Sequence, residues 1–234
     1  MALLSGLLFS SCHYVMGKRV RGNGNIRSEN RSTPSFSGIE ANGNVDVYYT
    51  QDSATSIKIE TDEDLMPYIE TYVDDHTLEI GPRDGYNLRP SGQIKVYISA
   101  PSVVHFEASG ASSIRSSSKI VNDHTVSVSL SGASDANLEI TSPRVEADLS
   151  GASTATLRGQ TRDFDAGSSG SSRIRGFELQ TENARVELSG ACSADVFASV
   201  NLDLDLSGAS TVHYKGNPAV KQSLSGASSA HKSE

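Results

Sequence analysis

Leu130-Ser131-Gly132-Ala133-Ser134 holds one copy of a tetrad that recurs through the second half of the chain. Copies begin at Ser109, Ser131, Ser150, Ser169, Ser189, Ser207 and Ser225, so successive starts lie 22, 19, 19, 20, 18 and 18 residues apart. Self-similarity at about 20 residues marks a solenoid of stacked small units, one tetrad to each coil.

The flanks of the tetrad read as strand. The residue just before it is Ala108, Leu130, Leu149, Ser168, Leu188, Leu206 or Leu224, and two positions earlier stands Phe106, Val128, Ala147, Ala166, Val186, Leu204 or Gln222. The intervening residues are Glu107, Ser129, Asp148, Gly167, Glu187, Asp205 and Ser223. Apolar and polar positions therefore alternate with the period of a half-buried β-strand. Two residues past the tetrad stands Ile114, Ala136, Ala155, Ile174, Ala194, Val212 or Ala230, apolar in every copy, so the alternation resumes at once.

An all-β chain with coils of about 18–22 residues fits a parallel β-helix, each strand pairing with the next coil about 4.8 Å away. Gly and Ala suit a tight bend, because bulky side chains would collide with identical ones above and below and Gly admits positive φ. Alternation that keeps phase through the tetrad equally allows one long strand with a small-residue seam. An antiparallel meander would need Asn-Gly or Asp-Gly hairpin turns, which the tetrads lack.

The chain has 234 residues, 36% of them hydrophobic and 6% aromatic, with no Trp, which suits a thin layered core. A formal charge of -8 argues against nucleic acid as a partner, since phosphate binding needs clustered Lys and Arg.

Residues 1–12 stand apart from the fold. Leu3, Leu4, Leu7, Leu8 and Phe9 form an apolar run too short to span a bilayer, ending in Ser10-Ser11-Cys12. This resembles a secretory signal with the lipobox of bacterial lipoproteins, in which the Cys thiol is acylated and becomes the mature N-terminus. Phe9 stands where Leu is usual, and no Lys or Arg precedes the run. An ordinary signal peptide is the alternative. With Cys12 taken by lipid, Cys192 has no disulfide partner; it occupies a tetrad Ser position and reads as a structural substitute for Ser.

Residues 13–35 read as a polar tether and a first edge strand. Gly22-Asn23-Gly24 opens no dinucleotide motif, because Arg27 stands where the third Gly belongs. Residues 36–100 form a less regular β part: Val45-Asp46-Val47-Tyr48, Ile57-Lys58-Ile59-Glu60, Leu78-Glu79-Ile80 and Ile94-Lys95-Val96-Tyr97-Ile98 all alternate. Pro67 limits the stretch from Asp62 to Ile69 to about one helical turn. This part is expected to close one end of the stack of coils formed by residues 101–234.

Gly22-Asn23-Gly24-Asn25, Arg31, Phe36-Ser37-Gly38-Ile39, Gly43 to Tyr48, Asp64-Leu65 through Tyr68-Ile69, Leu78-Glu79-Ile80 and Pro101 with the later tetrads resemble the bacterial family described as putative auto-transporter adhesin, head GIN domain. The resemblance covers nearly everything after the tether. It implies an all-β, right-handed parallel helix on a secreted or envelope-anchored protein of Gram-negative bacteria, and it supplies no catalytic residues or cofactor.

In such a helix the outward residues stack into columns. Glu146, Asp165 and Asp203 would form one and Asp148, Glu187 and Asp205 the next, an acidic strip interrupted by Arg185. Its functional reading is a seat for Ca²⁺ or for glycan hydroxyls; its bland reading is a solvated face. The histidines His13, His76, His105, His124, His213 and His231 lack ligand spacing. Seven tetrads of the Ser-Gly-Ala-Ser type, with Ser171 and Cys192 as the two departures, do not make a nucleophile elbow, and bonding between stacked serines is the expected role. Asp52-Ser53-Ala54 resembles a short bacterial O-glycosylation acceptor.

Together these readings point to a non-enzymatic lipoprotein of the cell envelope, anchored at the outer membrane through the Cys12 lipid alone. It would need no metal or cofactor and would act as a binding or adhesion module for glycan or protein, alone or as an oligomer. A purely structural envelope protein is the second reading. A polysaccharide lyase or hydrolase is the third, on fold analogy alone.

Overall fold

The computed structural model describes residues 17–234, so Cys12, His13 and the apolar run lie outside the described residues. The tetrads are bends. Each tetrad Gly has positive φ, from 72° at Gly110 to 97° at Gly190, a region that costs any other L-residue steric strain. Neighbouring bends stack closely: Ala133 donates its N–H to the Gly110 carbonyl at 2.7 Å, Ala152 to Gly132 at 2.7 Å, and Ala209 to Gly190 at 2.7 Å. The ladder of the flanking strands thus continues through the corner.

The last residue of the tetrad turns inward and closes the bend. The Ser134, Ser153, Ser172 and Ser210 hydroxyls donate to the carbonyls of Ser131, Ser150, Ser169 and Ser207 at 2.8–2.9 Å. The expected bonding along a serine column is secondary; each hydroxyl mainly satisfies a carbonyl three residues back, as Ser does in a tight turn. Cys192 takes the same place, its Sγ 3.2 Å from the Ser189 carbonyl oxygen.

The strands on both sides of the bend pair in parallel with exact succession of columns. Val128 pairs with Ala147, Ala147 with Ala166, Ala166 with Val186, and Val186 with Leu204. Ala136, Ala155, Ile174, Ala194 and Val212 form the column beyond the bend. These side chains are buried and form one continuous core with Phe106, Leu130, Leu149 and Leu188. An antiparallel meander is excluded in this half by the parallel registers.

In the first half, order in space departs from order in sequence. Thr77–Pro82 lies beside Gly38–Ala41, which lies beside His105–Ala108; Ile94–Ala100 likewise lies beside Val45–Gln51, which lies beside Ser113–Ser116. The coil of residues 77–100 is therefore outermost, although it follows 38–51 in the chain. Antiparallel strands cover its outer edges: Ser56–Asp62 pairs with Ile94–Ala100 and Ile26–Arg31 with Ser56–Asp62, while Ile69–Asp74 forms a hairpin with Thr77–Pro82. Asp75 and His76 both have positive φ at that hairpin's two-residue turn, whose twist then matches that of its strands. The Pro67 stretch forms the 3₁₀ turn Met66–Tyr68. Covering an edge in this way removes free N–H and C=O groups that would otherwise pair with other chains.

Asp62 fastens this covered end. Its carboxylate is fully buried and accepts from Gly24 N at 2.7 Å, Ser91 N at 2.9 Å and Ser91 Oγ at 2.7 Å. Burial pushes the carboxyl up, but the bonds from Ser91 and Gly24 outweigh it and hold it below the usual carboxylate range.

Candidate binding groove

Outside the tetrad bends runs a groove of about 620 Å³. One wall is the column of outward residues between the two buried columns, in register order Glu107, Ser129, Asp148, Gly167, Glu187 and Asp205, which Glu40 continues beyond the groove. The other wall is the row of first tetrad serines, Ser131, Ser150, Ser169, Ser189 and Ser207. From Glu107 to Asp205 the groove crosses five strand spacings, about 24 Å at about 4.8 Å each.

The six acids expected to form one strip divide into two kinds. Glu146, Asp165 and Asp203 have basic partners: Arg144 is shared between Glu146 at 3.0 Å and Asp165 at 2.5 Å, and Lys221 reaches Asp203 at 3.4 Å. Arg185, in register between Asp165 and Asp203, pairs with Glu187. Among the described residues, Asp148 and Asp205 have no basic partner within 4 Å, and neither has Glu107. Three carboxylates of the groove column, Glu107, Asp148 and Asp205, thus remain free to meet a ligand, while Glu187 is held by Arg185.

Two of these acids are held closer to the protonated state than usual. Partial burial in the groove wall pushes Asp148 up, with Glu146, Asp165 and Glu187 adding repulsion. Partial burial and the neighbouring Glu40 do the same for Glu107. Gly167 leaves a gap that Asp148 fills: a Cβ there would stand 2.4 Å from Asp148 Oδ1. Because Ser129 and Gly167 interrupt the column, Glu107, Asp148 and Glu187 are each two spacings apart, about 9.6 Å. Glu187 and Asp205, and Glu40 and Glu107, are by contrast direct neighbours in the column. Among the described residues no three Asp, Glu, His or Cys side chains converge as a metal site.

Glu107 and Glu40 were missing from the expected strip, although Glu107 precedes its tetrad by two positions as Asp148 does. Glu40 has no tetrad after it, and only its pairing with Glu107 places it in the column. His213 stacks on His231 with ring centroids 5.7 Å apart, and His105 Nδ1 lies 2.7 Å from Ser127 Oγ. Ser53 is exposed, its N–H donating to Asp52 Oδ1 at 2.6 Å. No helix among the described residues is long and apolar enough to cross a membrane.

Parallel pairing, stacked glycine bends and a continuous core define a β-solenoid that carries a polar groove along its axis. The chain belongs to the family described as putative auto-transporter adhesin, head GIN domain, whose profile matches residues 35–218. Solved structures share the fold. A putative adhesin from Bacteroides fragilis NCTC 9343 is 18% identical with a TM-score of 0.81, over 91% of this chain and 98% of that one. A putative lipid binding protein from Parabacteroides distasonis ATCC 8503 is 23% identical with a TM-score of 0.74, over 93% of this chain and all of that one (100%). A putative adhesin from Parabacteroides merdae ATCC 43184 is 21% identical with a TM-score of 0.66, over 93% and 100% of the two chains. No curated protein matches the sequence.

Proposed function

We propose that this chain is a non-enzymatic, envelope-anchored binding module that lays an extended glycan strand along the groove. The observation carrying this reading is the row of unpaired carboxylates, Glu107, Asp148 and Asp205, facing the row of tetrad serines over about 24 Å. Carboxylates accept from sugar hydroxyls and serine hydroxyls both donate and accept, so the two rows suit a ligand with hydroxyls on both edges. Each added sugar would meet another coil, and many weak contacts on a rigid surface sum to useful affinity.

The charge of the wall also selects. A polyuronate or other acidic polysaccharide would be repelled, so the ligand is neutral or amino-substituted. The same argument disfavours a polysaccharide lyase, whose uronate substrate needs cationic groups beside its carboxylate. Acylation at Cys12 would hold the module at the outer membrane.

A glycan array with the full chain tests the groove. Neutral or amino glycans should bind, and Asp148→Asn with Asp205→Asn should lose binding about tenfold or more without lowering the melting temperature. Absence of binding to every glycan, with the fold intact, would favour a purely structural envelope role. Incorporation of labelled palmitate, lost in Cys12→Ser, tests the anchor separately.

A further inference from the structure

We propose a second surface, remote in chemistry from the groove: a notch of three arginines that docks against the phosphate headgroups of an anionic membrane. Lys18–Arg21 pairs in parallel with Tyr86–Arg89, and the register places Arg21 directly beside Arg89 and Arg19 beside Asn87. Strand alternation puts Arg19 and Arg21 on one face. The resulting notch of about 510 Å³ is lined by Arg19, Arg21, Gly22, Arg89, Pro90 and Ser91.

Two like charges opposite one another in a sheet are unfavourable. Among the described residues no carboxylate forms an ion pair with Arg19, Arg21 or Arg89. Three acids of this corner have partners of their own: Asp62 accepts from Gly24 N and from Ser91, itself a lining residue, Glu63 pairs with Arg27, and Asp64 accepts from Asn23 N. This occurs in a chain where 28 acids outnumber 20 lysines and arginines. The separation is also written along the sequence, where no Asp or Glu occurs before Glu29 while Lys18, Arg19, Arg21 and Arg27 do.

Guanidinium groups present planar forks that match phosphate oxygens, and a cluster of them opposes a phosphate better than a single lysine would. Position favours a bilayer over a soluble anion. Lys18 follows Cys12 by six positions, a reach of at most about 20 Å of extended chain. An acyl chain alone anchors reversibly, and a basic patch supplies the second attachment that makes residence stable. The choice of a bilayer rests on the proposed anchoring at Cys12, while the recognition of phosphate by the arginines does not, and the latter is tested without acylation so that the two can fail separately.

The full chain carrying Cys12→Ser, which has no lipid, is mixed with phosphatidylcholine vesicles with and without phosphatidylglycerol. Phosphatidylglycerol should strengthen binding by about fivefold for each arginine engaged, and high salt should abolish the preference. The apolar leader contributes to both vesicle types, so the difference reports the notch. Arg19→Gln, Arg21→Gln, Arg89→Gln together should remove the preference with the melting temperature kept; Arg19→Gln alone should halve it or more and serves if the triple variant unfolds. Arg173→Gln, Arg175→Gln, far along the solenoid, should change nothing. Equal binding to both vesicles, a preference that survives the triple variant, or an equal loss in the distant pair would overturn the proposal. Loss of the preference to inorganic phosphate, but not to chloride at the same ionic strength, would reassign the notch to a soluble phosphate and overturn the membrane as its occupant.

Discussion

A Cβ placed on Gly151 would stand 2.5 Å from the carbonyl oxygen of Gly132 in the neighbouring coil. The same holds, within 2.4–2.8 Å, for every tetrad glycine against the glycine before it in the stack. Both the positive φ and the closeness of the next backbone demand glycine, and they can be separated by mutation.

Gly151→Ala should cost about 2–5 kcal/mol, the sum of left-handed strain and collision with an unyielding backbone. Gly24 also has positive φ, 84°, but nothing lies within 4 Å of its would-be Cβ. Gly24→Ala should cost about 1 kcal/mol. Urea denaturation of the two variants checks the difference; equal losses would mean that stacking adds nothing to the backbone requirement.

Ser168 interrupts the leucine column between Leu149 and Leu188, and its buried hydroxyl has no hydrogen-bond partner. Ser168→Ala should therefore leave stability unchanged or raise it by about 1 kcal/mol, since an unpaired buried hydroxyl is a net cost. A melting temperature clearly below that of the wild type would show that the hydroxyl is satisfied.

Tyr49 is fully buried, edge-on to Phe106 at 5.5 Å, and its hydroxyl donates to the Ala100 carbonyl at 3.1 Å. Burial pushes the phenol up to about 12. Tyr49→Phe should cost about 1 kcal/mol through the lost hydrogen bond, the Ala100 carbonyl still accepting from Asp52 N at 3.1 Å, and the phenol should stay neutral in ultraviolet titration well past pH 10.

Acid should act in opposite senses on Asp62 and on the groove. Asp62, held below its ordinary value, stabilises the fold above its unfolded pKa of about 3.9 and loses that contribution as pH falls through its folded value. Asp62→Asn should thus cost about 2 kcal/mol at neutral pH, and its deficit should close in strong acid. Asp148 and Glu107, held above their ordinary values, oppose folding when ionised. Asp148→Asn with Glu107→Gln should melt higher than the wild type at neutral pH, and the gap should shrink as pH falls through the raised values toward the unfolded ones, about 4. Melting curves across this range read both trends.

Cys192 is 2% exposed and stands where other bends have serine. Cys192→Ser should change stability by no more than about 0.5 kcal/mol. In the folded wild type the thiol should react with a disulfide reagent only on unfolding.

Much of the groove could be read from sequence. Counting back two residues from each tetrad places Asp148, Glu187 and Asp205 in one column, because the coil period is nearly constant there. The same count reaches Glu107. It fails at Glu40, where no tetrad follows, and it says nothing of Arg144, whose long side chain reaches across to Asp165 in the adjacent coil. Nor could it place Arg21 beside Arg89, since those strands are joined by no repeat.

The sequence alone determined the period, the parallel stacking partners after residue 101 and the alternation that buries one face, because each is a local pattern repeated at fixed spacing. Only the tertiary structure decided that the tetrad is a bend, that residues 77–100 lie outside 38–51, and which carboxylates stay unpaired. The physical reason is that backbone φ at a small residue, the order of strands of similar pattern and the reach of an arginine all depend on what lies in the neighbouring coil.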